Sequence, residues 1–396
     1  MKKKTVRDID VAGKKVLVRV DFNVPLDPQS GAITDDTRIR SSLPTIRYLQ
    51  DNKAKVILCS HLGRPKNKEQ GASLAPVAQR LSQLVGREVK MATDCIGPEV
   101  EKMISVLNGG EILMLENLRF HPEEEKNDPA FAKALARLAE VFVNDAFGTA
   151  HRSHASTVGV TQYLPSVAGF LIEKELETMD KALNNPDRPF TALIGGAKIS
   201  DKIGVLENIL DKVDSLLIAG GMGSTFLKSL KYEVGQSLVE EEKVGLAQKL
   251  IDTAAEKGVH LLLPSDVVVA NKFAAEAKFR TVSIKDVPQG WYVMDIGPKT
   301  IKQFAAKLRK SKTVVWNGPV GVFEFPPFRT GTQAIAEVLA SMSATTIVGG
   351  GSTAEAVQEM GLVHKMTYVS TGGGASLKFL EGKPLPGVEA LLDKKG

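Results

Sequence analysis

Thr345-Thr346-Ile347-Val348-Gly349-Gly350-Gly351-Ser352-Thr353 is followed by a second version of itself, Lys365-Met366-Thr367-Tyr368-Val369 leading to Thr371-Gly372-Gly373-Gly374. Each reads as a short buried strand, a glycine turn and the start of a helix. Ala354, Val357 and Met360 mark the first helical face; Ala375-Ser376 open the second, with Leu377 and Leu380 on one side. Glycine at such a turn removes the Cβ atoms that would hold a ligand off the backbone. The first-turn N–H groups have no intrahelical partner and sit at the positive end of the helix dipole, which suits phosphate. Doubly wound proteins also place glycine there for packing alone, so one such turn says little. Two in succession point to a shared polyphosphate site.

The junction recurs through the second half of the chain. Ala192-Leu193-Ile194 leads to Gly195-Gly196-Ala197-Lys198-Ile199-Ser200-Asp201-Lys202, and Leu216-Leu217-Ile218 to Ala219-Gly220-Gly221-Met222. Val314-Val315-Trp316 leads to Asn317-Gly318-Pro319-Val320-Gly321. None is a G-x-x-x-x-G-K-[ST] loop, and none has G-x-G-x-x-G spacing with a later acid. Lys198 and Lys202, four apart, are expected on one face of a helix's first turns, where they either reach phosphates or are simply solvated.

The first half carries a different chemistry at its strand ends. Lys15–Val20 ends in Asp21-Phe22-Asn23, Lys55–Cys59 in Ser60-His61-Leu62-Gly63-Arg64, and Glu111–Leu115 in Glu116-Asn117-Leu118-Arg119. Val141–Val143 ends in Asn144-Asp145, with His151-Arg152-Ser153-His154 beyond. A polar loop from Asp27 to Arg40, holding Arg38, is expected to precede a helix at Ser42–Tyr48. Strands alternating with helices imply a parallel sheet, and ligands of such sheets sit beyond the carboxyl ends of the strands. Four arginines gathered there would repel one another without an anion, and the guanidinium fork matches phosphate and carboxylate. Singly, each arginine reads as a solvated charge or an ion pair. His61, His151 and His154 read as anion contacts or as scaffold; His121, His260 and His364 have no partner pattern.

Length and composition bound the rest. A chain of 396 residues predicts two domains. A hydrophobic fraction of 43% with 24% charged residues is that of a globular protein, and a net charge of +5 without a basic–aromatic run does not suggest nucleic acid. Cys59 and Cys95 are the only cysteines, so a disulfide scaffold is excluded, and no Cys/His spacing resembles a zinc site. The Lys2-Lys3-Lys4 opening lacks the apolar segment of a signal peptide, and no apolar run is long enough to span a bilayer. A cytoplasmic protein is expected. Breakers at Asn184-Asn185-Pro186-Asp187-Arg188-Pro189 mark a linker. The expected fold is α/β: two doubly wound parallel-sheet lobes joined by a helical hinge, with a cleft between them. One lobe would present arginines to an anion, the other glycine turns and lysines to a polyphosphate, a division suited to phosphoryl transfer.

At these residues the chain resembles the phosphoglycerate kinase family along nearly its whole length. The matching segments are 20–25, 60–65, 116–120, 150–156, 195–202, 295–298, 316–324 and 370–374, in order and at family spacing. The resemblance implies phosphate transfer between 1,3-bisphosphoglycerate and ADP, giving 3-phosphoglycerate and ATP, by a monomer using Mg2+ with its nucleotide. It implies a substrate lobe at 1–172, a hinge at 173–188, a nucleotide lobe at 189–383, and a C-terminal segment, 384–396, returning to the first lobe. Asp21, Phe22, Asn23, Arg38, His61, Leu62, Gly63, Arg64, Arg119 and Arg152 would then hold the glycerate. Gly196, Ala197, Lys198, Lys202, Gly220, Gly221, Asn317, Pro319, Val320, Gly350, Gly351, Ser352 and Thr353 would hold the nucleotide. Glu324 would accept from the ribose, and Gly297 and Pro298 would wall the adenine pocket. Arg38 and Lys198 would clamp the transferring group, with Gly373 and Gly374 adding a helix N-terminus. The chain departs from the family at Ser352, which stands where an aspartate ligates magnesium, and at Val293, bulkier than the usual residue. Rival readings are a nucleotide-binding relative without turnover, a nicotinamide-dependent dehydrogenase, and a scaffold protein; only the last two lack a motif in their favour.

Overall fold

The computed structural model describes residues 2–65 and 72–394, in two compact units, Met1–Glu177 with Pro384–Gly396, and Thr178–Lys383. In the first, β1 (Lys15–Arg19), β2 (Lys55–Cys59), β3 (Val89–Met91), β4 (Ile112–Met114), β5 (Val141–Asn144) and β6 (Ser166–Ala168) form one sheet in the order β3-β4-β2-β1-β5-β6. Every pairing is parallel. Helices cover it, α1 (Thr37–Asp51), α2 (Ala75–Val85), α3 (Pro98–Ser105), α4 (Pro129–Ala136) and the start of α5 (Phe170–Asn184). Val16, Val18, Val56 and Leu58 are fully buried in one cluster with Ile39 and Ile46 of α1 and Leu81 of α2. Strands buried on both faces read as continuous apolar runs, which is why β1 and β2 were legible.

The strand order turns back at β1, with β2 on one side and β5 on the other. The crevice beyond the carboxyl ends of these strands is where a doubly wound sheet takes its ligand. The described part of the C-terminal segment, 384–394, packs into this same unit. Buried Lys3 donates to the Leu391 carbonyl at 3.0 Å and to Asp393 Oδ1 at 2.7 Å, and Asn144 Nδ2 donates to the Gly387 carbonyl at 3.0 Å.

The second unit holds β7 (Phe190–Ile194), β8 (Ser215–Ile218), β9 (His260–Leu262), β10 (Asp266–Ala270), β11 (Phe279–Ser283), β12 (Tyr292–Ile296), β13 (Thr313–Asn317), β14 (Thr345–Gly349) and β15 (Tyr368–Val369). Six make a parallel sheet, β15-β14-β13-β7-β8-β9, and three an antiparallel one, β11-β10-β12. The parallel sheet is wrapped by α6 (Ile203–Leu210), α7 (Gly221–Ser229), α8 (Val244–Glu256), α9 (Pro298–Leu308), α10 (Thr330–Ala340), α11 (Gly351–Glu359) and α12 (Gly373–Leu380). Its order turns back between β7 and β13.

Several local expectations are corrected. Arg38 is not on a loop but in the first turn of α1, which starts at Thr37 because Asp35 Oδ1 accepts the Thr37 N–H at 2.8 Å. Lys198 and Lys202 share no helical face: α6 starts at Ile203, leaving Lys202 at its cap and Lys198 in the turn before it. The last strand is only Tyr368–Val369, because Val363–Lys365 coil into a 3-10 turn. Helix α12 opens at Gly373 rather than Ala375.

Candidate active site

In the first unit, the end of β1 carries Arg19, whose side chain is buried and hydrogen bonded on three sides. It donates to Ser156 Oγ at 2.8 Å, to the Val20 carbonyl, and to His61 Nδ1 at 3.1 Å. A guanidinium can only donate, so His61 Nδ1 accepts and its ring proton resides on Nε2. Burial, and then Arg19, Arg119, Arg38 and Arg152, hold the His61 pKa well below its ordinary value. His61 is therefore a neutral donor in a strongly positive field. Arg19 gains a counter-charge through Ser156, whose hydroxyl donates to buried Glu124 at 2.5 Å.

The other arginines converge on the same field. Arg38, lifted by α1, pairs with Asp21 at the end of β1. Arg119 donates to the Gly63 carbonyl at 2.6 Å and pairs with Glu125 at 3.1 Å. Burial pulls its guanidinium below the ordinary value; Glu125 opposes this, while Arg152, Arg19 and Arg64 reinforce it. Arg64 is exposed, and neither it nor Arg152 has an ion-pair partner among the described residues. Neighbouring motif residues act as scaffold. Asn117 accepts the Leu62 N–H and donates to the Leu62 carbonyl, and Asn23 Oδ1 accepts the Gly63 N–H at 2.8 Å. The Phe22 and Leu62 side chains lie in the core. With its backbone N–H and carbonyl both engaged, Leu62 offers a ligand little.

In the second unit, the carboxyl ends of β7, β8 and β13 are knitted backbone to backbone. Gly195 N–H donates to the Asn317 carbonyl at 2.9 Å, Gly196 to Pro319 at 3.0 Å and Gly220 to Val320 at 3.1 Å. A Cβ on Gly195 would lie 2.2 Å from the Pro319 carbonyl oxygen, so this glycine serves packing. Gly351 is the reverse case: a Cβ there would meet nothing within 4 Å. The first turns of α7, α11 and α12 have no side-chain cap. In α7 the Met222 and Gly223 N–H groups already donate to the Gly196 and Gly220 carbonyls, which leaves the Gly221 N–H and the first turns of α11 and α12 for an anion. Lys202 is largely buried beside them, its ammonium on Asn317 Oδ1; burial lowers its pKa to about 8, against Asp201 and Glu381. Asn317 Nδ2 is buried without a hydrogen-bond partner. Lys198, Glu324, Gly351, Ser352 and Gly374 are exposed.

Beside these turns lies a cavity of about 740 Å³, walled by Gly196, Ala197, Gly220, Gly221, Pro319, Val320, Val293, Tyr292, Phe273, Phe325 and Glu324 among others. Its size and apolar lining suit one flat heterocycle with a polar edge. Val293 forms part of that wall. Gly297 and Pro298 do not: a Cβ on Gly297 would strike the Asp266 carboxylate, and Pro298 starts α9 over a separate hollow. Thr353 is no ready metal ligand either, being fully buried with its hydroxyl accepting the Gly318 N–H at 2.7 Å. Ser352 supplies a neutral hydroxyl, so residues 350–353 do not make a magnesium site by themselves. Sequence reading missed Arg19 and Glu124; the signal for Arg19 was a charged residue closing the apolar run of β1, whereas Glu124, in the turn after Phe120, had none.

No helix among the described residues is long and apolar enough to cross a membrane. A family model described as phosphoglycerate kinase matches residues 6–383. The phosphoglycerate kinase of Moorella thermoacetica is 58% identical over 395 residues, covering 100% of both chains, and that of Chloroflexus aurantiacus (strain J-10-fl) is 59% identical, covering 99% of this chain and 100% of the relative. Among solved structures, phosphoglycerate kinase from Coxiella burnetii matches with a TM-score of 0.88 at 42% identity, and that from Pyrococcus horikoshii with 0.86 at 33%, each covering 98% of both chains. With two parallel-sheet α/β units, an arginine-lined strand edge in one and a glycine-lined pocket in the other, the chain belongs to the phosphoglycerate kinase family.

Proposed function

We propose that this kinase transfers a phosphoryl group reversibly between 1,3-bisphosphoglycerate and ADP, giving 3-phosphoglycerate and ATP, as a cytoplasmic monomer. The observation that carries the reading is the convergence of Arg19, Arg38, Arg119 and Arg152 on a neutral His61. Asp21, Glu125 and, through Ser156, Glu124 offset part of this charge, and the glycerate substrate would complete the balance with a carboxylate and a phosphate. The uncapped turns at Gly221, Gly351 and Gly373, with Lys202, supply the complementary phosphate cradle for the nucleotide, and the neighbouring apolar cavity takes its base. In the ATP-consuming direction the attacking group is a carboxylate, ionised at neutral pH, so no general base is needed.

Catalysis then rests on in-line positioning and charge neutralisation. Arg38 and Lys198 clamp the transferring group, and the α12 first turn at Gly373–Gly374 adds its dipole. Because the two half-sites belong to different units, turnover requires closure about residues 173–188, which also excludes water. Mg2+ enters as part of the nucleotide substrate, held by phosphate oxygens and water, with Ser352 as a weak contact.

The first test is ADP release from magnesium-ATP with and without 3-phosphoglycerate; turnover appears only when both are present. Nucleotide binding without turnover under any condition would favour the reading of a binding protein. Ser352→Asp supplies a carboxylate at the triple-glycine turn. It is expected to lower the Mg2+ concentration needed for half-maximal rate several-fold, and an unchanged magnesium titration would remove Ser352 from the account.

A further inference from the structure

Away from both half-sites, three side chains of different ligand chemistry meet in the first unit. Asp94 and Cys95 follow β3, and His121 follows the 3-10 turn Leu118–Phe120. An Asp94 carboxylate oxygen, Cys95 Sγ and a His121 ring nitrogen all lie within 4.8 Å of one another. His121 Nε2 is 2.6 Å from Asp94 Oδ1. Bonds of about 2.0–2.3 Å around a tetrahedral zinc place its ligand atoms roughly 3.3–3.7 Å apart. The cluster reaches metal-binding spacing if the Asp94–His121 hydrogen bond opens by about 1 Å and Cys95 Sγ, within 4.8 Å of both, closes by no more than about 1 Å.

The donor set selects the kind of ion. Thiolate, imidazole and carboxylate together suit zinc and its borderline-soft relatives, whereas magnesium takes oxygen ligands in an octahedron. Cys95 is fully buried, while the Asp94 and His121 side chains are 35% and 26% exposed. The sulfur thus forms the floor and the other two ligands the mouth, which leaves an entry path and a fourth position for water. Both rims are braced. Asp94 Oδ1 also accepts the Cys95 N–H at 2.7 Å, and the His121 ring lies 5.2 Å from that of Phe131.

We propose that Asp94, Cys95 and His121 form a site for one zinc-class divalent cation, separate from the metal carried by the nucleotide. As the ion binds, the Cys95 thiol gives its proton to solvent, the His121 ring proton passes by way of solvent from Nε2 to Nδ1, and the His121–Asp94 hydrogen bond is replaced by one coordinate bond to each. The site is placed to matter. The His121 N–H closes the turn holding Arg119 by donating to the Leu118 carbonyl at 3.1 Å. The ion would fasten that turn to the segment after β3, tuning glycerate affinity more than nucleotide affinity.

The test is a Co2+ titration of the full chain, read by absorption, with Zn2+ as competitor. Only a cysteine thiolate gives the near-ultraviolet charge-transfer band, so cobalt bound with a nucleotide does not interfere. One equivalent should produce the band, and Zn2+ should abolish it. Cys95→Ser should eliminate it, and His121→Asn should weaken Co2+ affinity at least roughly tenfold. Zn2+ should raise the unfolding midpoint of the unmodified chain but not that of His121→Asn. His121 is half-buried, so this variant decides the matter even if Cys95→Ser fails to fold. No band in excess Co2+, a band that survives in Cys95→Ser, or an affinity unchanged in His121→Asn would each overturn the proposal.

Discussion

Two buried groups give the protein opposite responses to pH. Burial, followed by Arg19 and Arg152, lowers the His154 pKa from 6.5 to about 4. Between those values the unfolded chain takes up a proton that the native state refuses, so stability is lost as pH falls from 6.5 toward 4. Asp145 is fully buried, accepts the Leu171 N–H at 2.9 Å, and has its pKa raised by burial from 3.8 to about 7. Here the native state keeps the proton longer, so its contribution is full below 3.8 and is lost as pH rises through 7. His154→Gln should flatten the acid-side decline by up to about 3 kcal/mol. Asp145→Asn, which still accepts at Oδ1, should gain on the parent by up to about 4 kcal/mol as pH rises from 4 to 8. Urea unfolding across pH measures both, and parallel curves for variant and parent would refute the assignment. Residues of this kind are poorly legible in sequence. Arg64, Arg119 and Arg152 could be grouped because each follows a strand end, and Arg38 with them from the polar loop nearby, whereas Arg19 reads as part of the strand Lys15–Arg19 and shows its role only when Ser156 and His61 close around it. Asp94, Cys95 and His121 have no telling spacing, because the fold joins two distant segments.

The glycine turns divide by what a methyl group would meet. On Gly373 a Cβ would lie 2.9 Å from the Gly351 backbone nitrogen, so the α11 and α12 turns pack directly on each other. Gly373→Ala is expected to cost roughly 1–3 kcal/mol and to reduce turnover. Gly351→Ala meets only open space, so stability should change by no more than about 0.5 kcal/mol while nucleotide affinity falls. Thermal melts paired with nucleotide titrations separate the two, and equal stability losses would refute the distinction. The parallel strands were legible because β-branched runs ended in glycine or in polar motifs. The antiparallel sheet β11-β10-β12 was not: the connection from Ala270 to Phe279 lacks an Asn-Gly or Asp-Gly turn, and Phe273-Ala274-Ala275-Glu276-Ala277-Lys278 carries helix formers. Lys198 and Lys202 went wrong for a related reason, since Glu240 accepts the Ile199 and Ser200 N–H groups at 2.6 and 3.1 Å and holds that stretch as a turn.

At the scale of the molecule, one unit is continuous in sequence and the other is not. Thr178–Lys383 forms the second, while the first needs both Met1–Glu177 and the terminal segment from Pro384. Ending the chain at Lys383 would leave buried Lys3 without the Leu391 carbonyl and Asp393. Hydrogen exchange on that shortened chain should show lost protection in β1, β5 and β6 with β7, β8 and β13 unchanged. Equal loss in both sheets would mean that the tail supports more than its own unit. The discontinuity also sets an order of events at the ribosome. The second unit, Thr178–Lys383, is fully synthesised before the segment from Pro384 that completes the first. A growing chain therefore carries an unfinished arginine half after its other half is complete in sequence, and that half is finished only once the segment from Pro384 has been added and has docked.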